Sequence, residues 1–290
     1  MKKTICVFCC LLCIVLLSCG TAGKKSKHKS APVKQVENDE VQEEEEITEN
    51  GIHNLPNGDR YIGGFKDHKK YGEGEYIYAN GDRYKGFFEN GHYNGQGELT
   101  LKDGTKYIGE FKDGLRHGHG ALTFPSGAKY EGSFVNDMME GEGIFRFPDE
   151  REYRGNFKKN FRHGHGVMIF PSGAEYDGDF NNDKRSGKGK MTYRNGTVYE
   201  GDFADGKRDG HGILTKANGD VYEGDFENDA MTGIGKYTFK NGTVTYGVWN
   251  NGRLEKRLPL PGSDGEDAEE SAEESAEEPS EEESEAETEE

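Results

Sequence analysis

Two stretches 46 residues apart carry the residue types of a metal site. RHGHGALTFPSGAKYEGSF covers 116–134, and RHGHGVMIFPSGAEYDGDF covers 162–180. In each, two histidines stand one residue apart (His117 and His119, His163 and His165), the spacing of two ligands on one face of a strand. His211 repeats half of the pattern. Zinc needs every ligand within about 2.1 Å, and structural sites take four. Copies two repeats apart in one sheet are separated by four strands, roughly 19 Å. The pairs cannot share an ion and each offers two ligands, so no metal or other cofactor is expected.

Other chemistry is thinly represented. The chain has no glycine-rich phosphate loop ending in Lys-Ser/Thr, no Gly-x-Ser-x-Gly elbow and no HExxH. The acidic residues of the central region sit at repeating positions, so none stands out as a general acid or base. These absences point away from an enzyme.

All five cysteines (Cys6, Cys9, Cys10, Cys13, Cys19) lie in the first nineteen residues. Lys2 and Lys3 precede thirteen apolar residues at 5–17, too few to cross a bilayer comfortably, so an export signal is the better reading. An uncleaved membrane anchor is its rival. The closing LLSC at 16–19 resembles a bacterial lipoprotein lipobox, although Leu17 stands where a small residue is more usual. That resemblance implies a signal peptide at 1–18 and lipidation of Cys19, with diacylglycerol and palmitate-type acyl chains. Two or more chains hold a protein stably on a membrane, whereas one is marginal. No cysteine would remain for disulfides, thiolate ligation or nucleophilic attack.

Residues 19–50 are lysine-rich and then acidic, without hydrophobic period, and read as a disordered tether. Thirty such residues span on the order of 30 Å. The last stretch, 258–290, reads as a disordered acidic tail; from 263 on it holds sixteen Asp and Glu and no Lys or Arg. Between 51 and 256 there are 29 Lys plus Arg against 31 Asp plus Glu, a net of −2, so the formal charge of −18 belongs mainly to the tail.

The middle is a repeat. Tyr-x-Gly-x-Phe begins at Tyr61, Tyr84, Tyr107, Tyr130, Tyr153, Tyr176, Tyr199 and Tyr222, always 23 residues apart. A ninth copy keeps Gly247 and Trp249 but has Thr245 for tyrosine. A Gly-x-Gly follows in register, such as Gly118 and Gly120, and reads as a sharp bend between units. Tyr107, Gly109 and Phe111 alternate onto one face of a strand. ALTF at 121–124 reads as a short second strand, and PSG turns the chain into the next copy. The central glycine leaves bare backbone for a ring to cover.

YIGEFKDGLRHGHGALTFPSG at 107–127 resembles the MORN (membrane occupation and recognition nexus) repeat, with Phe111 in the aromatic slot. The likeness covers nine copies at 51–257. It implies an all-β fold: an elongated, twisted antiparallel sheet of about eighteen strands in stacked hairpins, a repeat solenoid with an aromatic groove. The candidate groove comprises Tyr61, Phe65, Tyr84, Phe88, Tyr107, Phe111, Tyr130, Phe134, Tyr153, Phe157, Tyr176, Phe180, Tyr199, Phe203, Tyr222, Phe226 and Trp249. On the opposite face Asp177, Asp179, Glu200, Asp202, Glu223 and Asp225 form a candidate acidic stripe, with Lys188 and Lys190 nearby.

These features favour a membrane-anchored, non-enzymatic binding scaffold of the bacterial cell envelope. Its expected contacts are the membrane, through acyl chains on Cys19, and either an envelope protein or a second copy. The near-neutral array argues against nucleic acid, which would need a basic groove. Direct binding of phospholipid headgroups by the array, or of glycan or peptidoglycan in the groove, is the alternative.

Overall fold

The computed structural model describes residues 51–262. They form one antiparallel sheet of nineteen strands, with no helix among them. Each strand pairs with the next in sequence, a continuous meander from β1 (Gly51–Asn54) to β19 (Arg253–Arg257). The fold expected from the sequence is therefore present, with one strand beyond the eighteen.

One unit shows how the sequence builds it. Strand β6 (Lys106–Lys112) carries Tyr107, Gly109 and Phe111, whose burial alternates with exposed or half-buried neighbours. Asp113 and Gly114 then turn the chain with φ of 51° and 87°. Two positive φ angles make the two-residue turn whose twist matches that of paired strands, which is why Asn, Asp and Gly fill all these positions but His68 and Lys159. Strand β7 (Leu115–Thr123) returns for nine residues. A short loop closed by Phe124 N–H to Ala128 O at 2.9 Å leads into β8 (Lys129–Val135).

The Gly-x-Gly is not a bend between units, and the second strand is not confined to 121–124. Both glycines lie inside β7. Gly120 pairs with Gly109, but Phe111 pairs with Arg116, so residues 117–119 oppose the single Glu110. This is a β-bulge, and Gly118 supplies its left-handed backbone at φ 61°. Sequence spacing alone does not separate a bulge from a bend, since both call for glycine.

The bulge leaves a carbonyl without a ladder partner, and the tyrosine satisfies it. The Tyr107 hydroxyl donates to Glu110 O at 2.9 Å, and every tyrosine of the stripe donates in the same way to the residue three positions on. To reach it the ring lies flat over Gly109 and Gly120. A Cβ on Gly120 would sit 2.5 Å from the Tyr107 ring, and one on Gly109 would sit 2.5 Å from the Gly120 Cα. Two facing glycines under one ring thus make room for the packing.

The rings form a zipper along the sheet. Tyr107 meets Phe111 of its own strand and Phe134 of the next unit edge-on, both at 5.1 Å between centroids. Edge-to-face pairs of this kind contribute about 0.5–1.5 kcal/mol each beyond area burial. The series continues unit by unit to Tyr222 against Trp249 at 5.4 Å. In the ninth copy, where Thr245 replaces tyrosine, the Trp249 Nε1–H donates to Gly235 O at 3.1 Å.

A second ladder ties each unit to the next at the tight turns. Arg116 donates from its backbone N and Nε to Asp137 Oδ1, at 3.0 and 2.9 Å, and from Nη2 to Asp137 O. Arg162 with Asp183 and Arg208 with Asp229 repeat the arrangement two units apart each time. Each guanidinium also lies over two or more stripe rings, as Arg208 does over Tyr199 and Phe226 at 5.7 and 5.4 Å.

Candidate functional site

The aromatic stripe lies on one face, as its alternation requires, but its rings are already occupied. None of the eight tyrosines exceeds 1% exposure, and the phenylalanines from Phe88 to Phe226, with Trp249, are also buried; only Phe65 at the first unit is half-buried. Burial raises the hydroxyl pKa of each stripe tyrosine, to about 12 for Tyr61, Tyr107 and Tyr153. A flat ligand stacks on an open ring face, and these rings offer none.

A different aromatic row stands half-open on the same face. Tyr78, Phe124, Phe147, Phe170, Tyr193 and Phe239 pack against the buried core without being covered by it. Each follows its stripe tyrosine by seventeen residues, a period legible in the sequence. Leu101 and Lys216 hold the same position in the other two units. Sequence reading passed over the row because these residues end a strand and begin a loop. With the arginines at the opposite edge of the stripe they form two margins of one long surface. Arg162 reaches both: its guanidinium lies 5.8 Å from the Phe147 ring and 5.4 Å from Phe180.

The six carboxylates of the acidic stripe share the other face, and lysines and histidines stand between them. His165 Nε2 lies 3.1 Å from Asp177 and its Nδ1 3.7 Å from Asp179. Lys188 pairs with Asp202 at 2.8 Å, Lys190 with Glu200, and His211 Nδ1 lies 3.3 Å from Asp225. Glu223 is in register with Lys236. Carboxylates thus alternate with lysine and histidine side chains along the face. Exposed pairs of this kind contribute about 0–1 kcal/mol each. Asp202 has a further role, accepting the His211 N–H at 3.2 Å at the bulge, as Glu110 accepts that of His119 at 3.0 Å.

Among the described residues no three or more His, Cys, Asp or Glu side chains gather as metal ligands. His117 and His163 keep Nδ1 buried without a hydrogen-bond partner, each beside a bulge glycine of its own strand. Asp220 is a structural carboxylate: it accepts from Tyr237 Oη, Lys240 N and Asn218 Nδ2 at 2.8 to 2.9 Å, and Asp59 repeats this near the other end. Cys19, the tether and residues 263–290 lie outside the described residues.

The model of the MORN repeat matches eight times, at 61–83, 84–106, 107–129, 130–150, 153–175, 176–198, 199–221 and 222–244. No curated protein matches the chain. Among solved structures, the wild-type TCP10 domain of Danio rerio CPAP is 16% identical, covering 67% of this chain and 96% of that one, with a TM-score of 0.22. A catalytically inactive virginiamycin B lyase from Staphylococcus aureus with quinupristin is 11% identical over 74% and 71%, TM-score 0.16. A streptogramin B lyase is 10% identical over 69% and 68%, also with TM-score 0.16. Scores this low carry no argument about this chain. The repeats suggest a binding scaffold and match more than half of the sequence: the chain belongs to the MORN repeat family.

Proposed function

We propose that this protein is a non-enzymatic binding scaffold, held on a membrane of the bacterial cell envelope by acyl chains on Cys19. Its repeat array holds a protein partner or a second copy. The observation that carries this reading is the half-open aromatic row from Tyr78 to Phe239, facing the arginine row across a sheet whose own rings are buried. A long surface with apolar rungs and fixed cations suits an extended or helical segment better than a small molecule.

Open aromatic rungs at unit spacing also suit a glycan, which keeps peptidoglycan binding as the second reading. Headgroup binding by the array itself has less support, because attraction to anionic lipid comes from clustered Lys and Arg and the array is close to neutral.

The test uses the full chain and its Cys19→Ser variant in vesicle flotation, with neutral or anionic lipid at low and physiological salt. Flotation that requires Cys19 supports an acyl tether. Flotation of the serine variant makes the array, or an uncleaved apolar segment, the membrane-binding element and overturns the tether. A Phe124→Ala/Phe170→Ala/Tyr193→Ala variant then checks the surface: an envelope partner captured by the parent chain should be lost.

A further inference from the structure

The loop edge of the sheet is asymmetric in charge, and the asymmetry points to where the chain leaves. The early loops carry Asp82, Asp103 beside Lys102, and Asp149 and Glu150 beside Arg151, so none of these three is net basic. The last three, between Thr192 and Val198, Thr215 and Val221, and Thr238 and Val244, carry Arg194, Lys216 and Lys240. Their one acid, Asp220, is buried; it accepts from the Tyr237 hydroxyl and the Lys240 backbone N–H and feels the charge of Lys216, which leaves the exposed Arg194 and Lys240 side chains to set the sign of the edge. Arg194 and Lys240 are exposed; Lys216 is half-buried, with its Nζ 5.7 Å from the Tyr237 ring.

The chain departs along this same edge. Strand β19 runs back from the tight turn, Arg257 comes into register with Gly247, and Leu258 N–H donates to Tyr246 O at 2.8 Å. Pro259 and Pro261 then stop the pairing. Beyond residue 262 follow 28 residues with sixteen carboxylates and no Lys or Arg. The coil dimension for 28 residues is about 30 Å root-mean-square. Successive loops stand about 10 Å apart, two strands each, so all three basic loops fall within reach.

We infer that the acidic segment 263–290 folds back along this edge and docks on the loops bearing Arg194, Lys216 and Lys240. Tyr193 and Phe239 belong to two of those loops, so the docked segment covers the C-terminal rungs of the open aromatic row. Attraction here is a sum of weak, solvent-exposed pairs, effective because the segment is tethered and sensitive to ionic strength because the charges are exposed. A basic partner or added salt releases it.

Zero-length carbodiimide cross-linking of the full chain in neutral detergent tests this directly, with peptides mapped by mass spectrometry. The expected result is cross-links from carboxylates of 263–290 to Lys216 and Lys240, falling roughly fivefold or more at about 0.5 M salt, where the screening length is only a few Å. Hydrogen exchange supplies a second readout: a variant stopped after Gly262 should exchange faster in the three loops than the full chain. Cross-links spread evenly over the array's lysines, concentrated on Lys24, Lys25, Lys27 and Lys29, or absent overturn the inference. So does loop exchange indifferent to the stop.

Discussion

The Tyr107 hydroxyl donates to the backbone carbonyl of Glu110 at 2.9 Å, closing a bulge that the Tyr107 ring also roofs. One side chain thereby meets two demands of the same backbone defect: a hydrogen bond for the orphaned carbonyl and cover for Gly109 and Gly120. Phenylalanine would meet only the second.

Tyr107→Phe should therefore keep the fold and lose about 1 kcal/mol, the net value of one buried hydrogen bond. Urea unfolding should show a lower midpoint with the slope unchanged. An unshifted midpoint would mean that water satisfies the Glu110 carbonyl equally well.

Glycines of two kinds should respond differently to alanine. At Gly120 the new Cβ would sit 2.5 Å from the Tyr107 ring, so Gly120→Ala should cost on the order of 3 kcal/mol or more as the ring is displaced. Gly127 has nothing within 4 Å of that position but holds φ 90°, so Gly127→Ala should cost about 1 kcal/mol of backbone strain. Near-ultraviolet circular dichroism should change for the first and not for the second.

Arg208 and Asp229 should be energetically coupled. The Arg208 side chain is 10% exposed and that of Asp229 33%, which places the pair between surface and buried cases. Met231 fills the position of Arg208 in the following unit, with Gly252 in place of Asp229. Arg208→Met alone should destabilise, and the added Asp229→Gly should recover about 1 kcal/mol in a double-mutant cycle. Strict additivity would show that the clamp is ornamental.

Alkali should unfold the array cooperatively. The stripe tyrosines have folded pKa values raised by burial, about 12 at Tyr61, Tyr107 and Tyr153, against an ordinary 10.0. A raised value means the folded state holds its proton after the unfolded chain has lost it. Stability is thus fully present below pH 10 and is lost as pH rises toward 12. Tyrosinate absorbance and loss of strand signal should rise together in that window; ionisation well before unfolding would contradict it.

Asp220 should matter at the acid end. Burial pushes its pKa up, but hydrogen bonds from Lys240 N–H, the Tyr237 hydroxyl and Asn218 outweigh this and hold it below 3.8. A depressed value contributes stability that is present above the unfolded pKa and lost as pH falls below it. Asp220→Ala should cost about 2–3 kcal/mol at neutral pH by stranding buried donors, and it should flatten the acid limb of the stability curve. An unchanged acid limb would assign that limb to other carboxylates.

Much of this protein was legible in one dimension. A fixed 23-residue period, period-two alternation around Tyr107 and Asn, Asp or Gly at the turns determine strands, register and meander, because each is a local demand on φ, ψ and side-chain direction. Tertiary structure decided the rest. Gly118 reads as a bend until Gly120 is seen opposite Gly109, because a bulge is defined only by two strands together. The tyrosine stripe reads as an open groove until the next unit's phenylalanine and its own unit's arginine close over it, and the open row at Phe124 appears only by contrast with that burial. Asp177, Asp179 and their successors read as a negative ridge along single strands, yet Lys188, Lys190, His165 and His211 come between them from neighbouring strands. Burial and charge pairing depend on residues 9 to 27 positions away, which a strand does not meet until the sheet has formed.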